Sequence, residues 1–281
     1  MDKQNFLPPE LLLQARKIFD AQKWEIENDF LFNRFCETLA FLNEKQQKLL
    51  LELTQKFLKI DISKYHVYIR KSLQLIDSNI LKGKKTIYVA PLIAKKDIGK
   101  SKSSHMITRL VSGRELRTKD ILNVDNLVVL DRITDLQFVL DNPDWILILV
   151  DDFIGTGDTA NEALSEILEE LNIDKERIIV LSLVAQQVGY DRLVKSGINI
   201  VCAEVRRKGI SDEYLGNIQK EYIATMVAIE SLIKVKQKYE FGYKGSEALV
   251  TLDRTPNNTF PVYWLEKKIR NKKFVAPFPR D

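Results

Sequence analysis

The stretch WILILVDDFIGTGDTANEAL, which begins at Trp145, limits the possible folds more than any other part of the chain. Ile146 to Val150 is an apolar run too short for a helix and rich in β-branched residues, so it reads as a strand buried on both faces. Asp151 and Asp152 then stand at the carboxyl end of that strand, which is where ligands bind in open α/β sheets. Gly155 and Gly157 allow the backbone to approach a ligand closely. Thr159 to Leu171 has helical periodicity. Strand, acidic pair, tight turn and helix N-terminus suit a ligand that offers hydroxyls or a metal to the acids and an anion to the turn.

The texture on either side supports an α/β reading. Residues 1 to about 82 are helical in pattern and are expected to form an all-helical accessory module. Pro8 and Pro9 open a first helix with Leu11, Leu12, Ala15, Ile18 and Phe19 at helical spacing. Asn28 or Asp29 caps a second, Asn43 a third with Leu49, Leu50, Leu53 and Phe57 on one face, and Asp61 a fourth with Tyr65, Ile69, Leu73 and Ile76. From Gly83 onward strands alternate with helices: TIYVAPLI, NLVVL, WILILV, RIIVLSLVA and INIVCAEV, with Tyr190 to Lys195 helical between the last two. That alternation predicts a mostly parallel sheet flanked by helices in a domain spanning 83–281. Residues 211 to 240 read as one long helix, and EALVTL as a final strand.

At 281 residues and 45% hydrophobic, the chain can bury a sizeable core. No apolar run approaches the roughly 18 residues of a membrane span. The opening MDKQNFLPPELLLQ lacks the features of a secretory signal, so a cytoplasmic location without membrane contact is expected. Cys36 and Cys202 have no metal-type neighbours and read as buried reduced thiols. The net charge of +4 does not by itself argue for nucleic acid. Its clusters, at Lys95 to Lys119, Arg206-Arg207-Lys208 and the tail LEKKIRNKKF, are solvated faces or contacts for a nucleic acid or acidic partner.

Three phosphate-site readings compete. Gly155 to Ala160 matches G-x-G-x-x-A, but the next strand ends in Val184-Ala185-Gln186 rather than in a ribose-holding acid, which counts against a dinucleotide fold. AKKDIGKS, Ala94 to Ser101, would place Lys100 and Ser101 in a degenerate P-loop for a nucleoside triphosphate and magnesium. Ala94 replaces its leading glycine, however, and GTGDT is left unexplained. The third reading accounts for more residues. An apolar run, Asp-Asp, two apolar residues and Gly-Thr-Gly-Asp-Thr resemble the PRPP-binding signature of the type I phosphoribosyltransferases. Together with YVAPLIAKKDIGKSKSSHMITRL, VRRKGISDEY and TPNNTFPVYW, they resemble the phosphoribosyltransferase-like proteins of bacterial conflict and defence loci, over about residues 30 to 265.

The resemblance implies a phosphoribosyltransferase-like fold and a division of labour. Asp151 and Asp152 would be the catalytic and ribose-binding carboxylates and the contact for Mg2+ carried by PRPP. Gly155, Thr156, Gly157, Asp158 and Thr159 would surround the 5′-phosphate. Lys100, Ser101, Lys102 and Ser103 would take the pyrophosphate, with Arg109 behind them. Asn257, Asn258 and Trp264, with Phe260 and Tyr263, would form the hood over a base. The activity implied is transfer of phosphoribose to an acceptor. The alternative is a non-catalytic sensor of PRPP or nucleotide that regulates a protein or nucleic-acid partner in an antiviral defence complex. Two departures favour the alternative: Gly155 stands where purine-salvage members carry an aspartate, and Asp158 puts a carboxylate inside the phosphate turn.

Overall fold

The computed structural model describes residues 7–24, 29–97, 99, 102–130, 133, 136, 144–269 and 272–280. Its helices are α1 (Pro9–Gln22), α2 (Asp29–Phe41), α3 (Glu44–Gln55), α4 (Tyr65–Gln74), α5 (Ser78–Leu81), α6 (Ser103–Ser112), α7 (Thr118–Leu122), α8 (Asp158–Leu171), α9 (Gln187–Lys195) and α10 (Gly216–Leu232). Its strands are β1 (Leu58–Lys59), β2 (Thr86–Pro91), β3 (Asn126–Val129), β4 (Trp145–Ile154), β5 (Ile178–Gln186), β6 (Asn199–Arg206), β7 (Val250–Thr251), β8 (Lys267–Ile269) and β9 (Lys272–Phe274).

The chain divides into two compact units, one of residues 61–206 and one of 1–60 with 207–281. In the first, five parallel strands lie in the order β3-β2-β4-β5-β6. All nine residues of β5 are buried, as a central strand covered on both faces requires. Ala163, Leu164 and Ile167 of α8 and Leu193 of α9 pack with Leu147, Leu149 and Val180 of the sheet. The helix α6 packs on β2 and β4, and α4 on β5 and β6. Each large aliphatic side chain buried in this way contributes about 1.5–3 kcal/mol. After β2 the chain steps out to β3, then returns across β2 to β4. The direction of winding reverses between β2 and β4, and such a reversal opens a crevice at the carboxyl ends of the strands.

The second unit joins the start of the chain to its end. Phe19, Trp24, Phe35 and Phe57 from the N-terminal segment share one core with Phe260, Tyr263, Phe274 and Phe278. Phe57 and Phe278 stack at 4.7 Å, and the Tyr263 hydroxyl lies 2.9 Å from Thr54 Oγ1. Asn43 caps α3 in a reciprocal box with Gln46, as its position before the apolar run predicted. Asn28, one of the two caps expected for α2, lies outside the described residues.

Several expectations are corrected. The division of the chain differs from the boundary placed between 82 and 83: residues 61–82 belong with the sheet, and 207–281 with the N-terminal helices. The long helix expected over 211–240 is confined to Gly216–Leu232, because Gly216 and Lys234 at its two ends take positive φ. Only Val250 and Thr251 of EALVTL form a strand, paired in parallel with Leu58 and Lys59. The basic tail supplies the antiparallel pair β8–β9, with Phe274 buried and Lys273 paired to Glu266 at 3.0 Å. Both cysteines are free thiols; Cys202 is buried and Cys36 partly so.

Candidate functional site

The acidic pair lies inside β4 rather than after it. Pairing with β2 ends at Pro91–Val150, whereas pairing with β5 continues through Asp151–Ser182 to Ile154–Ala185. From Asp151 onward, β4 therefore has a strand neighbour on one side only. The N-terminus of α6 comes up to this stretch, and the Ser103 hydroxyl donates to Asp152 Oδ1 at 2.7 Å. The Asp152 N–H in turn donates to Asp151 Oδ1 at 2.9 Å. Asp152 is 7% exposed. Asp151 is partly exposed as a residue, but its carboxyl is enclosed. Burial first, and the Asp152 charge second, push that carboxyl well above the usual carboxylate range, opposed by the Asp152 N–H and by the charge of Lys102.

The turn after β4 is shaped by two glycines from different elements. Gly157 takes φ 78° and serves as N-cap of α8 without a side-chain cap. Gly189 of α9 lies against the turn so closely that a Cβ there would come within 2.2 Å of the Gly155 carbonyl oxygen. Within α8 the first backbone bond back to the turn is from Asn161 N–H to the Gly157 carbonyl, at 2.9 Å. The earlier N–H groups of the helix thus have no acceptor within it and carry the positive end of the helix dipole. Asp158 is not left as a bare charge at this position. Arg192 of α9 donates to its Oδ1 at 2.5 Å, and the Thr156 hydroxyl donates to its Oδ2.

The lysine-rich loop ahead of α6 is braced by carboxylates. Lys95 donates its backbone N–H to Glu166 and places Nζ 3.4 Å from Glu170, while Lys96 pairs with Glu162. Lys102 Nζ donates to Asp97 Oδ2 at 2.9 Å. Lys100 and Ser101, central to both the pyrophosphate and the P-loop readings, lie outside the described residues. Of the four residues expected at the pyrophosphate, Ser103 is brought directly to the acids, and Lys102 acts on Asp151 through its charge. His66, His105 and Arg109 are all exposed.

The hood residues belong to the other compact unit. Phe260 and Tyr263 are 0% exposed, and Trp264 is buried with its Nε1 donating to the Thr259 carbonyl at 2.7 Å. These rings are core and present no open face for stacking, which corrects the expectation drawn from TPNNTFPVYW. The Asn257 carbonyl accepts from Tyr243 N–H at 2.8 Å, and Asn258 is buried with its carbonyl accepting from Ala248 N–H.

Gly189 and Arg192 were not foreseen from sequence. Both sit in a short helix more than thirty residues after the turn they touch, and nothing local marks either one. The donor set at the acids is two carboxylates and a serine hydroxyl. Among the described residues no group of three or more His, Cys, Asp or Glu is placed to hold a metal ion. Two hard carboxylates suit magnesium only if the ligand supplies further oxygens. No helix among the described residues is long and apolar enough to cross a membrane.

A family model, PRTase-CE, matches residues 29–280. No curated protein matches the chain. Among solved structures, orotate phosphoribosyltransferase from Aeropyrum pernix is similar at 17% identity, with 51% of this chain and 71% of that chain covered and a TM-score of 0.30. A hypothetical protein from Neisseria gonorrhoeae with bound ppGpp is similar at 14% identity, covering 61% and 98% of the two chains, with a TM-score of 0.33.

Proposed function

The chain belongs to the PRTase-CE family of phosphoribosyltransferase-like proteins, and from that premise we propose that it binds the ribose 5-phosphate part of PRPP. The observation that carries this reading is the acid pair inside β4, set beside the N-termini of α6 and α8 at the reversal of the sheet. Asp151 and Asp152 accept hydrogen bonds from the ribose hydroxyls, and the 155–159 turn surrounds the 5′-phosphate where the first N–H groups of α8 and the helix dipole favour an anion. The ribose competes with Ser103 for Asp152. Magnesium bound with the ligand would neutralise the charge of the departing pyrophosphate, with the two carboxylates as its protein contacts. The transition state of such a transfer is expected to resemble an oxocarbenium ion, so positioning and electrostatics are the chain's contribution.

The raised Asp151 carboxyl sets a sign. A ligand that needs this carboxyl ionised takes up the deprotonated form, so binding releases a proton and tightens as pH rises through the ligand-free pKa. Calorimetric titration with PRPP plus Mg2+, with ATP plus Mg2+ as control, tests the reading on wild type and on Asp151→Asn/Asp152→Asn. PRPP binding that the double variant loses supports it; binding of ATP alone refutes it in favour of the P-loop reading.

The glycine at position 155 favours a second reading, because it leaves the first position of the turn without a side chain to take a proton from an attacking base. On that reading the chain is a non-catalytic sensor of PRPP or nucleotide acting on a partner, the role implied by its likeness to defence-locus proteins. Release of pyrophosphate from PRPP in the presence of any acceptor excludes it.

A further inference from the structure

Asp158 is the residue least suited to a phosphate turn, since a carboxylate at the first position of α8 stands among the donors an anion would use. Both of its carboxylate oxygens are engaged. Arg192 Nη1 lies 2.5 Å from Asp158 Oδ1 and 3.3 Å from the Thr156 carbonyl oxygen, so one guanidinium nitrogen touches the turn at two points. The second oxygen of Asp158 accepts from the Thr156 hydroxyl. Arg192 also packs close to Gly157: a Cβ there would come within 3.3 Å of Arg192 Cδ and of Gly189. Two residues of α9 thus touch the turn, a glycine at one position and an arginine about one helical turn later.

We propose that Arg192 is a positioning residue for the phosphate turn: it neutralises Asp158 and holds the Thr156 carbonyl, leaving the 155–159 turn able to accept an anion. As an account of ligand binding this rests on the function proposed above; as an account of the turn it stands on the ligand-free geometry. The pair has a defined logic. Arg192 removed alone takes from Asp158 the guanidinium that lies 2.5 Å from its Oδ1 and leaves the carboxylate beside the phosphate, whereas removing both charges together also removes that repulsion. Lysine in place of Arg192 keeps the charge but carries it as a compact ammonium on a different stem, so it separates the charge from the placement of the guanidinium.

The experiment compares wild type, Arg192→Ala, Arg192→Lys and Asp158→Asn/Arg192→Ala in two assays. Amide hydrogen exchange of the ligand-free proteins reads residues 155–160, and calorimetry reads binding of ribose 5-phosphate and of PRPP plus Mg2+. Loss of this half-exposed ion pair predicts up to about fivefold weaker binding and a similar, roughly fivefold, increase in exchange in Arg192→Ala. The lysine variant falls between, and the double variant recovers affinity to within about 1.5-fold of wild type, as a charge-neutralising role demands. Unchanged exchange in Arg192→Ala overturns the positioning role. A double variant as weak as Arg192→Ala overturns the neutralising role. A wild type that binds neither ligand overturns the proposed function instead, and the exchange result still decides whether Arg192 holds the turn.

Discussion

Replacing Gly189 by alanine tests the architecture of the site with a single methyl group. Gly189 lies in α9 with a negative φ, so alanine meets no backbone strain there and should gain about 0.5–1 kcal/mol of helix propensity over glycine. Against that gain stands a contact: the new Cβ would lie 2.2 Å from the Gly155 carbonyl oxygen and 3.1 Å from Gly157 N. Ordinary van der Waals separation requires the turn or the helix to shift by roughly 1 Å. Overpacking of this kind costs typically about 1–3 kcal/mol, so the net expectation is a destabilisation of up to about 2.5 kcal/mol. The backbone that has to yield is the proposed phosphate turn, and a displacement of ~1 Å in a positioned group lowers function by up to about a hundredfold. Urea denaturation followed by circular dichroism reads the first quantity and calorimetry with PRPP plus Mg2+ the second. The neighbouring exposed Val188→Ala serves as control. A Gly189→Ala protein as stable as wild type, or more so, with unaltered ligand affinity would refute the claim that this close approach shapes the turn.

The remaining expectations concern buried carboxylates and their partners. Folding raises the Asp151 pKa, so the folded state loses stability as pH climbs from the ordinary carboxylate range through the folded value; Asp151→Asn should be more stable than wild type at pH 8 and lose that advantage near pH 4, as urea melts at the two pH values will read. Ser103→Ala removes the hydroxyl that donates to the buried Asp152 carboxylate and should cost about 1.5–3 kcal/mol in the same melts, with Ser103→Thr retaining much of it. Burial pushes the Glu230 carboxyl up to about 8, although the Phe241 N–H bonds to it. Wild type therefore loses stability as pH rises from the usual glutamate range through about 8, and Glu230→Gln, which still offers an acceptor to Phe241, should flatten that loss in melts at pH 6 and pH 9.

Local pattern determined much of this protein. The five core strands, the parallel sheet and the helix after the acidic pair were legible because apolar runs and turn residues act over a few positions, within reach of strand and helix periodicity. The acids and the turn were legible for the same reason: a short segment carries both. Tertiary structure decided what those residues face. The extension of β4 through Asp151 and Asp152 depends on β5 remaining paired where β2 has ended. Phe260, Tyr263 and Trp264 gave the same sequence signal as a stacking surface, and only packing with Phe57 and its neighbours made them core. The two-unit division joins segments separated by about 150 residues, which no local pattern records. Gly189 and Arg192 reach the 155–159 turn from α9, the helix that follows β5. A glycine acts there through the atom it lacks and an arginine through a charge more than thirty residues away, so both effects exist only once the chain has closed on itself.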